Sequence, residues 1–286
     1  MLNSDLTQQI RDKARELLES KAAECVIGYE TGSDGAIARP AFIYSPDGVE
    51  RLVFDDTCTH NLASYLVNRK GKATAVVLKA CDARSLNVLL QEKQVARDKV
   101  YAIGVACDGI RQAVWGRPKG ELQDRCKACQ GHTPPIYDVL IGQPTSPDPP
   151  APSDFSRVAE MEAKTPEERL AFWQRQFARC IRCYACRQIC FGCYCQECFV
   201  ERLDPEWTGI RVAPAQNQMY HIIRAFHLAG RCIACDECQR ACPVDIPLSL
   251  LNRKLEEETL EMFGHRSGLS AEAQAPMATF RPEELE

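Results

Sequence analysis

The apolar positions change rhythm midway along the chain. Over roughly the first 140 residues, short uninterrupted apolar runs alternate with helical stripes; beyond residue 165 the stripes are all of helical spacing. Leu6, Ile10, Ala14, Leu17 and Leu18 share one helix face and Ser4 can cap it, so a helix is predicted from Ser4 to Leu18. Short strands are expected at Cys25–Tyr29, Ala41–Tyr44 and Leu52–Phe54. A helix capped by Thr59 is predicted from His60 to Asn68, with Leu62, Ala63, Leu66 and Val67 turned inward. The near-continuous run Ala73–Ala80 reads as a buried strand, Asp82 as the cap of a helix over Ala83–Gln91, and Val100–Ala106 as a second buried strand. That β-α-β order predicts parallel strands and a right-handed crossover.

The composition turns proline-rich from Gly142 to Asp154, which marks a semi-extended linker. Thr165-Pro166-Glu167-Glu168 then opens a predicted helix running to Ala178. Further helices are expected over Asn217–Ala229, with Met219, Ile222, Ile223, Phe226 and Leu228, and over Leu248–Met262. The expected layout is an α/β domain with a parallel-type sheet at 1–142, a linker at 143–164, a mainly α-helical domain at 165–262 and a docking or disordered tail at 263–286.

Charge narrows the function classes. The net charge of −4 offers no basic patch for nucleic acid or an anionic membrane surface. No apolar window is long enough to cross a bilayer, and no basic stretch leads into an apolar run at Met1–Thr7. Seventeen cysteines without an export signal favour a reducing, cytoplasmic setting over a disulfide framework.

The cysteine spacing carries the chemistry. Cys180-x2-Cys183-x2-Cys186-x3-Cys190 is repeated as Cys232-x2-Cys235-x2-Cys238-x3-Cys242, and the second run ends in Cys242-Pro243. This is the spacing of bacterial ferredoxins, in which three thiolates hold one iron–sulfur cube and the fourth is lent to the other. Cys180, Cys183, Cys186 and Cys242 are therefore expected on one [4Fe-4S] cluster, and Cys190, Cys232, Cys235 and Cys238 on a second. A zinc site needs four ligands, not eight in two copies. The runs start 52 residues apart (232 − 180) with a helix between them, so the module is placed with helical two-cluster ferredoxins.

A third site is expected in the first half. Cys81 and Cys107 each follow a predicted buried strand, at the sheet edge where α/β sites gather, and Cys126-Lys127-Ala128-Cys129 adds a short hook. A [4Fe-4S] cluster is the first reading and an all-cysteine zinc the second, with Cys58 as a substitute ligand. Cys25 reads as core. Cys193, Cys195 and Cys198 line the first cluster's pocket, belong to a folded Cys-rich turn, or hold a further metal or cluster with one more ligand. His221 and His227 read as helix-face residues near a cluster. The segment from Gly28 through Gly32 to Gly35 matches neither a dinucleotide fingerprint nor a P-loop; it reads as a turn, with a loop against a flavin as the sharper alternative.

Lys79-Ala-Cys81-Asp82-Ala-Arg84-Ser85, Ile103-Gly-Val-Ala-Cys107-Asp-Gly109 and Arg125-Cys126-Lys-Ala-Cys129 resemble the beta-subunit family of coenzyme F420 (deazaflavin) hydrogenase and deazaflavin-dependent formate dehydrogenase. The likeness covers roughly residues 20–145. It implies Cys81, Cys107, Cys126 and Cys129 as cluster ligands, and FAD as a further cofactor. It also implies partner redox subunits of heterodisulfide reductase, hydrogenase or formate dehydrogenase type, as in anaerobic metabolism. The expected function is that of an iron–sulfur subunit relaying single electrons in a larger oxidoreductase complex. The alternative is a flavin subunit that itself oxidises or reduces a deazaflavin or nicotinamide. A DNA-binding redox sensor is disfavoured by the absence of a basic helix.

Overall fold

A computed structural model describes residues 2–33, 35, 37–114, 117–127, 129, 131–143 and 154–276. The chain divides into two compact units, Met1–Ser153 with Gly268–Ala273, and Asp154–Ser267 with Gln274–Glu286. The proline-rich stretch 144–153 and the end of the tail, 277–286, lie outside the described residues.

In the first unit, helix α1 (Leu2–Glu19) starts before Ser4, so that serine is inside the helix rather than its cap. Strands β1 (Cys25–Thr31), β2 (Ala38–Ile43), β3 (Thr74–Leu78), β4 (Val100–Val105) and β7 (Val139–Ile141) form one sheet in the order β2-β1-β3-β4-β7. β2 is antiparallel to β1; the other neighbours are parallel. β3 is buried along its whole length, as its apolar run requires. Strand β7 and a hairpin of β5 (Arg111–Val114) and β6 (Arg117–Leu122) were not expected from the sequence. Helix α2 (Ala80–Gln91) packs on β3 and β4, and a single turn, α3 (Asp124–Lys127), follows the hairpin.

The expected strand Leu52–Phe54 does not form. The Phe54 amide donates to Thr7 Oγ1 at 3.0 Å, and Arg11 donates to Leu52 O at 2.9 Å. Side chains of α1 thus take the backbone groups a ladder would use, leaving one isolated bridge from Leu52 to Glu30. Residues Leu62–Arg69 wind as a 3-10 helix, and its cap is Asn61, not Thr59. The Asn61 side chain accepts from the Ala63 amide at 3.1 Å and donates to Ser85 Oγ at 2.6 Å.

The glycine segment is not a single loop. Gly28 lies inside β1 opposite Ala41, where a Cβ would meet a Leu52 methyl at 2.6 Å. Gly32 and Gly35 belong to the β1–β2 turn, where the Gly35 amide donates to Gly32 O at 2.9 Å. The tail segment Gly268–Ala273 belongs to the first unit. Asn87 donates to Gly268 O at 2.9 Å and Gln91 to Ser270 O at 2.8 Å.

The second unit is helical: α4 (Ser156–Glu162), α5 (Pro166–Ala178), α6 (Ala185–Gln188), α7 (Pro214–His227), α8 (Glu237–Arg240) and α9 (Leu248–Phe263). Helix α5 occupies its expected span, opened by a capping box in which the Thr165 side chain accepts from the Glu168 amide at 3.2 Å and Glu168 answers the Thr165 amide at 2.9 Å. Helix α7 begins at Pro214, three residues before the expected start, because proline suits a first turn whose amides are unpaired.

Candidate functional site

The two cysteine runs fold alike. After Cys180, Arg182 and Tyr184 take left-handed backbone angles of φ 51° and 58°; after Cys232, Ala234 and Asp236 take 57° and 54°. The pairs are 52 positions apart (234 − 182), as are the short helices α6 and α8 that follow. The Arg182 amide lies 3.4 Å from Cys180 Sγ, and the Ala234 amide 3.4 Å from Cys232 Sγ. Left-handed angles at non-glycine residues cost on the order of 1–2 kcal/mol each. Paying that cost at matched positions aims backbone donors at sulfur.

Each run then crosses to its copy. A hollow is lined by Cys180, Cys183, Cys186 and Cys242, together with Arg182, Tyr220 and His221. A second is lined by Cys190, Cys232, Cys235 and Cys238, with Arg224, Asp236, Glu237 and Asn252. In each, three thiols come from one run and the fourth from the other. Among the described residues, no three His, Cys, Asp or Glu side chains form a ligand group for a single metal ion.

Burial works against the bare thiolates. It raises Cys180 and Cys186, pushes Cys232 up, and raises Cys238 to about 12. Cys190 goes the other way: its hydrogen bond with Cys193 is the chief cause, with the Arg224 charge assisting, and it is held low while Cys193 is pushed up. Cys193 thus sits beside a thiol of the second cavity. Cys195 is exposed, and the Cys198 amide donates to Glu201 at 3.0 Å.

Helix α7 supplies most of the outer layer. Asn217, Tyr220, His221 and Arg224 share a face at i, i+3, i+4 and i+7 and are all buried. Asn217 donates to Phe177 O and Cys180 O, each at 2.9 Å, and so fixes the entry of the first run. Tyr220 Oη is 3.4 Å from Cys186 Sγ, and His221 Nε2 is 3.2 Å from Cys180 Sγ. Burial, then the charges of Arg224 and Arg182, lower His221 to about 4, which keeps the ring neutral. Arg224 donates to Cys186 O at 2.9 Å. Burial opposes its charge, but the thiols of Cys190, Cys238, Cys193 and Cys186 outweigh it. His221, read from the sequence as a helix-face residue near a cluster, is in direct contact with the Cys180 sulfur.

In the first unit, Cys107 follows β4, whereas Cys81 lies in the first turn of α2 rather than beyond a strand. The helix starts early because Asp82 does not cap it: the carboxylate turns back to Lys79, Nζ–Oδ2 2.8 Å. The Gly109 amide donates to Cys107 Sγ and the Ile110 amide to Cys126 Sγ, both at 3.4 Å. Gly109 takes φ 105°, and a Cβ there would come within 3.3 Å of Cys126 Cβ, so glycine lets the two segments close. Burial, then Asp82, raises Cys81; burial raises Cys107 to about 11, and the Cys126 charge adds to it. Cys129 ends the hook, exposed, with its sulfur 3.5 Å from Gly131 O. Cys58 is buried in a tight turn, where the Asp55 amide points at its sulfur from 3.4 Å. Cys25 is buried in β1.

Sequence reasoning missed a buried charged pair beside these thiols. Lys79 and Asp82 are each 1% exposed. Lys79 Nζ also reaches His60 O at 2.9 Å and the Tyr29 hydroxyl. The signal was present as a lysine interrupting an apolar run, with an aspartate three residues on.

The sheet unit carries Cys107 past the end of β4 and Cys81 in the first turn of α2, and the helical unit has two cavities each lined by four thiols, donor sets of the kind that soft metals favour. No family model matches the sequence. Two curated relatives align with nearly its whole length. The F420-dependent formate dehydrogenase subunit beta of Methanocaldococcus jannaschii is 22% identical over 343 aligned positions, covering 88% of this chain and 89% of the relative. The F420-dependent formate dehydrogenase 1 subunit beta of Methanococcus maripaludis is 35% identical over 348 positions, covering 90% and 89%. The chain belongs to the beta-subunit family of F420-dependent formate dehydrogenase.

Proposed function

We propose that the chain is the iron–sulfur relay subunit of a cytoplasmic formate dehydrogenase-type complex. The observation that carries this reading is the crossing of the two runs, which sets Cys180, Cys183, Cys186 and Cys242 round one hollow and Cys190, Cys232, Cys235 and Cys238 round the other. The helical unit is then a two-cluster ferredoxin module. Four thiols lining one hollow suit a four-iron cube whose ligands sit at its corners. Bound [4Fe-4S] clusters supply one-electron transfer. The chain's own part is to hold the thiolates, neutralise them and exclude water. The iron's positive charge offsets the burial that otherwise keeps these thiols protonated, so cluster assembly releases protons.

A third cluster on Cys81, Cys107, Cys126 and Cys129 would extend the wire into the sheet unit. A structural zinc is the alternative for that donor set. The partners are other redox subunits of formate dehydrogenase, hydrogenase or heterodisulfide reductase type. The F420 in the relatives' names favours a second reading, in which this subunit binds FAD and exchanges hydride with a deazaflavin. Anaerobic purification with iron, sulfide, zinc and flavin analysis tests all of these. Fewer than about eight irons per chain would refute the two-cluster reading. Stoichiometric FAD would establish the flavin reading.

A further inference from the structure

The two cavities are built on one loop design, yet their surroundings differ. Tyr220 and His221 both point polar atoms at sulfurs of the first cavity. His221 is stacked on Phe177, ring centroids 5.3 Å apart and 11° from parallel, which fixes the plane of the imidazole. Its Nδ1 is buried without a partner. A buried donor left empty costs more than an empty acceptor, so the ring proton belongs on Nε2, facing Cys180. Arg182 adds a guanidinium to this cavity, bonded to the neutral Gly209 O at 2.6 Å and the Tyr184 hydroxyl at 2.7 Å. No carboxylate is among the described residues that line it.

The second cavity has a different wall. Asn252 Nδ2 lies 3.5 Å from Cys238 Sγ. Asp236 and Glu237 are lining residues, and Glu256 acts on Cys232. Asp236 is paired with Arg253 at 3.4 Å and Glu237 with Arg240 at 2.6 Å, so these charges are offset but not removed. Arg224 serves both sides. It lines the second cavity, bonds the carbonyl of Cys186 in the first, and acts on Cys190 and Cys186 alike.

We infer that Tyr220 and His221 are positioning residues that set the reduction potential of the first-cavity cluster above that of the second, so that electrons run from the second cavity toward the first. Reduction adds negative charge. Donors aimed at thiolate sulfur and an arginine in the wall favour it, whereas wall carboxylates oppose it. The inference rests on the two-cluster reading.

The test is a reductive titration of the full chain, purified anaerobically and followed by low-temperature electron paramagnetic resonance. Tyr220→Phe removes only the hydroxyl and should lower the higher of the two midpoints by about a tenfold change in the reduction equilibrium, about 59 mV for a one-electron couple. His221→Leu should lower the same midpoint, while His221→Gln, which keeps a donor, should stay near the parent. Asn252→Leu should lower the other midpoint, so the gap between the two narrows in the first variants and widens in this one. If Tyr220→Phe moves the lower midpoint, or neither, the inference is wrong although the clusters exist. A chain with fewer than two [4Fe-4S] signals refutes the two-cluster reading itself.

Discussion

Lys79→Met isolates one buried charge. In the parent, Lys79 Nζ lies 2.8 Å from Asp82 Oδ2 and 2.9 Å from His60 O, with both charged side chains 1% exposed. Removing the lysine leaves the carboxylate buried with the Tyr29 hydroxyl at 3.3 Å. Breaking such a pair costs about 3–5 kcal/mol, a large share of the roughly 5–15 kcal/mol that holds a domain together. With a urea slope of about 1–3 kcal/mol per molar, the midpoint should drop by about 1 M or more. The double variant Lys79→Met with Asp82→Leu should recover most of the loss, because no charge is then buried alone. The pH dependence has a definite sign. Burial lowers Lys79, but Asp82 and Cys81 outweigh it and raise it above its ordinary 10.5. A raised base stabilises fully below its unfolded value and loses that contribution as pH climbs through the folded one, so the gap between parent and variant should close as pH rises into the strongly alkaline range. Urea melts followed by circular dichroism, with hydrogen exchange to place the effect in β1, β3 and α2, make the measurement. A single variant within about 0.5 kcal/mol of the parent, or a double variant no better than the single, refutes the reasoning.

Thr165→Ala removes half of the α5 capping box and should cost about 1 kcal/mol, read as faster hydrogen exchange in the first turn of α5. Ala234→Gly relieves a φ of 57° and should stabilise the cluster-free helical unit by about 1 kcal/mol in urea melts, with iron uptake unchanged. Gly268 has φ 78°, and a Cβ there would lie 2.3 Å from Arg84 O, so Gly268→Ala should raise hydrogen exchange across Gly268–Ala273 while leaving α9 protected. Cys126→Ser combined with Cys129→Ser should remove about four of about twelve irons and leave the resonance signals of the ferredoxin pair in place; loss of zinc with iron unchanged would assign the third site to zinc.

Local rules made much of the fold legible. Helix α5 was readable to the residue, because Thr165, Pro166 and Glu168 form a cap whose energetics involve only their neighbours. The apolar runs of β3 and β4 were readable because strands buried on both faces need no alternation. What failed depended on surroundings that the local pattern does not show. Leu52–Phe54 has strand character, but Thr7 and Arg11 take its backbone groups. Asp82 is a good cap by type, yet a buried ammonium three residues back outcompetes the helix amides. Strand β7 is three residues long and carries no periodicity to read. The doubled cysteine run was legible because the repeat lies in the spacing itself. The outer layer on α7 was not, since a tyrosine and a histidine on a helix face gain meaning only once the face is known to meet sulfur.

The most direct test of the central claim is Mössbauer spectroscopy of the anaerobically purified, iron-57-labelled chain, alongside its iron and sulfide content. The account predicts [4Fe-4S] signals at about eight irons per chain from the helical unit, and about twelve with the third site. Iron that is mononuclear, or bound below about eight per chain, or displaced by stoichiometric zinc in the helical unit, would contradict it.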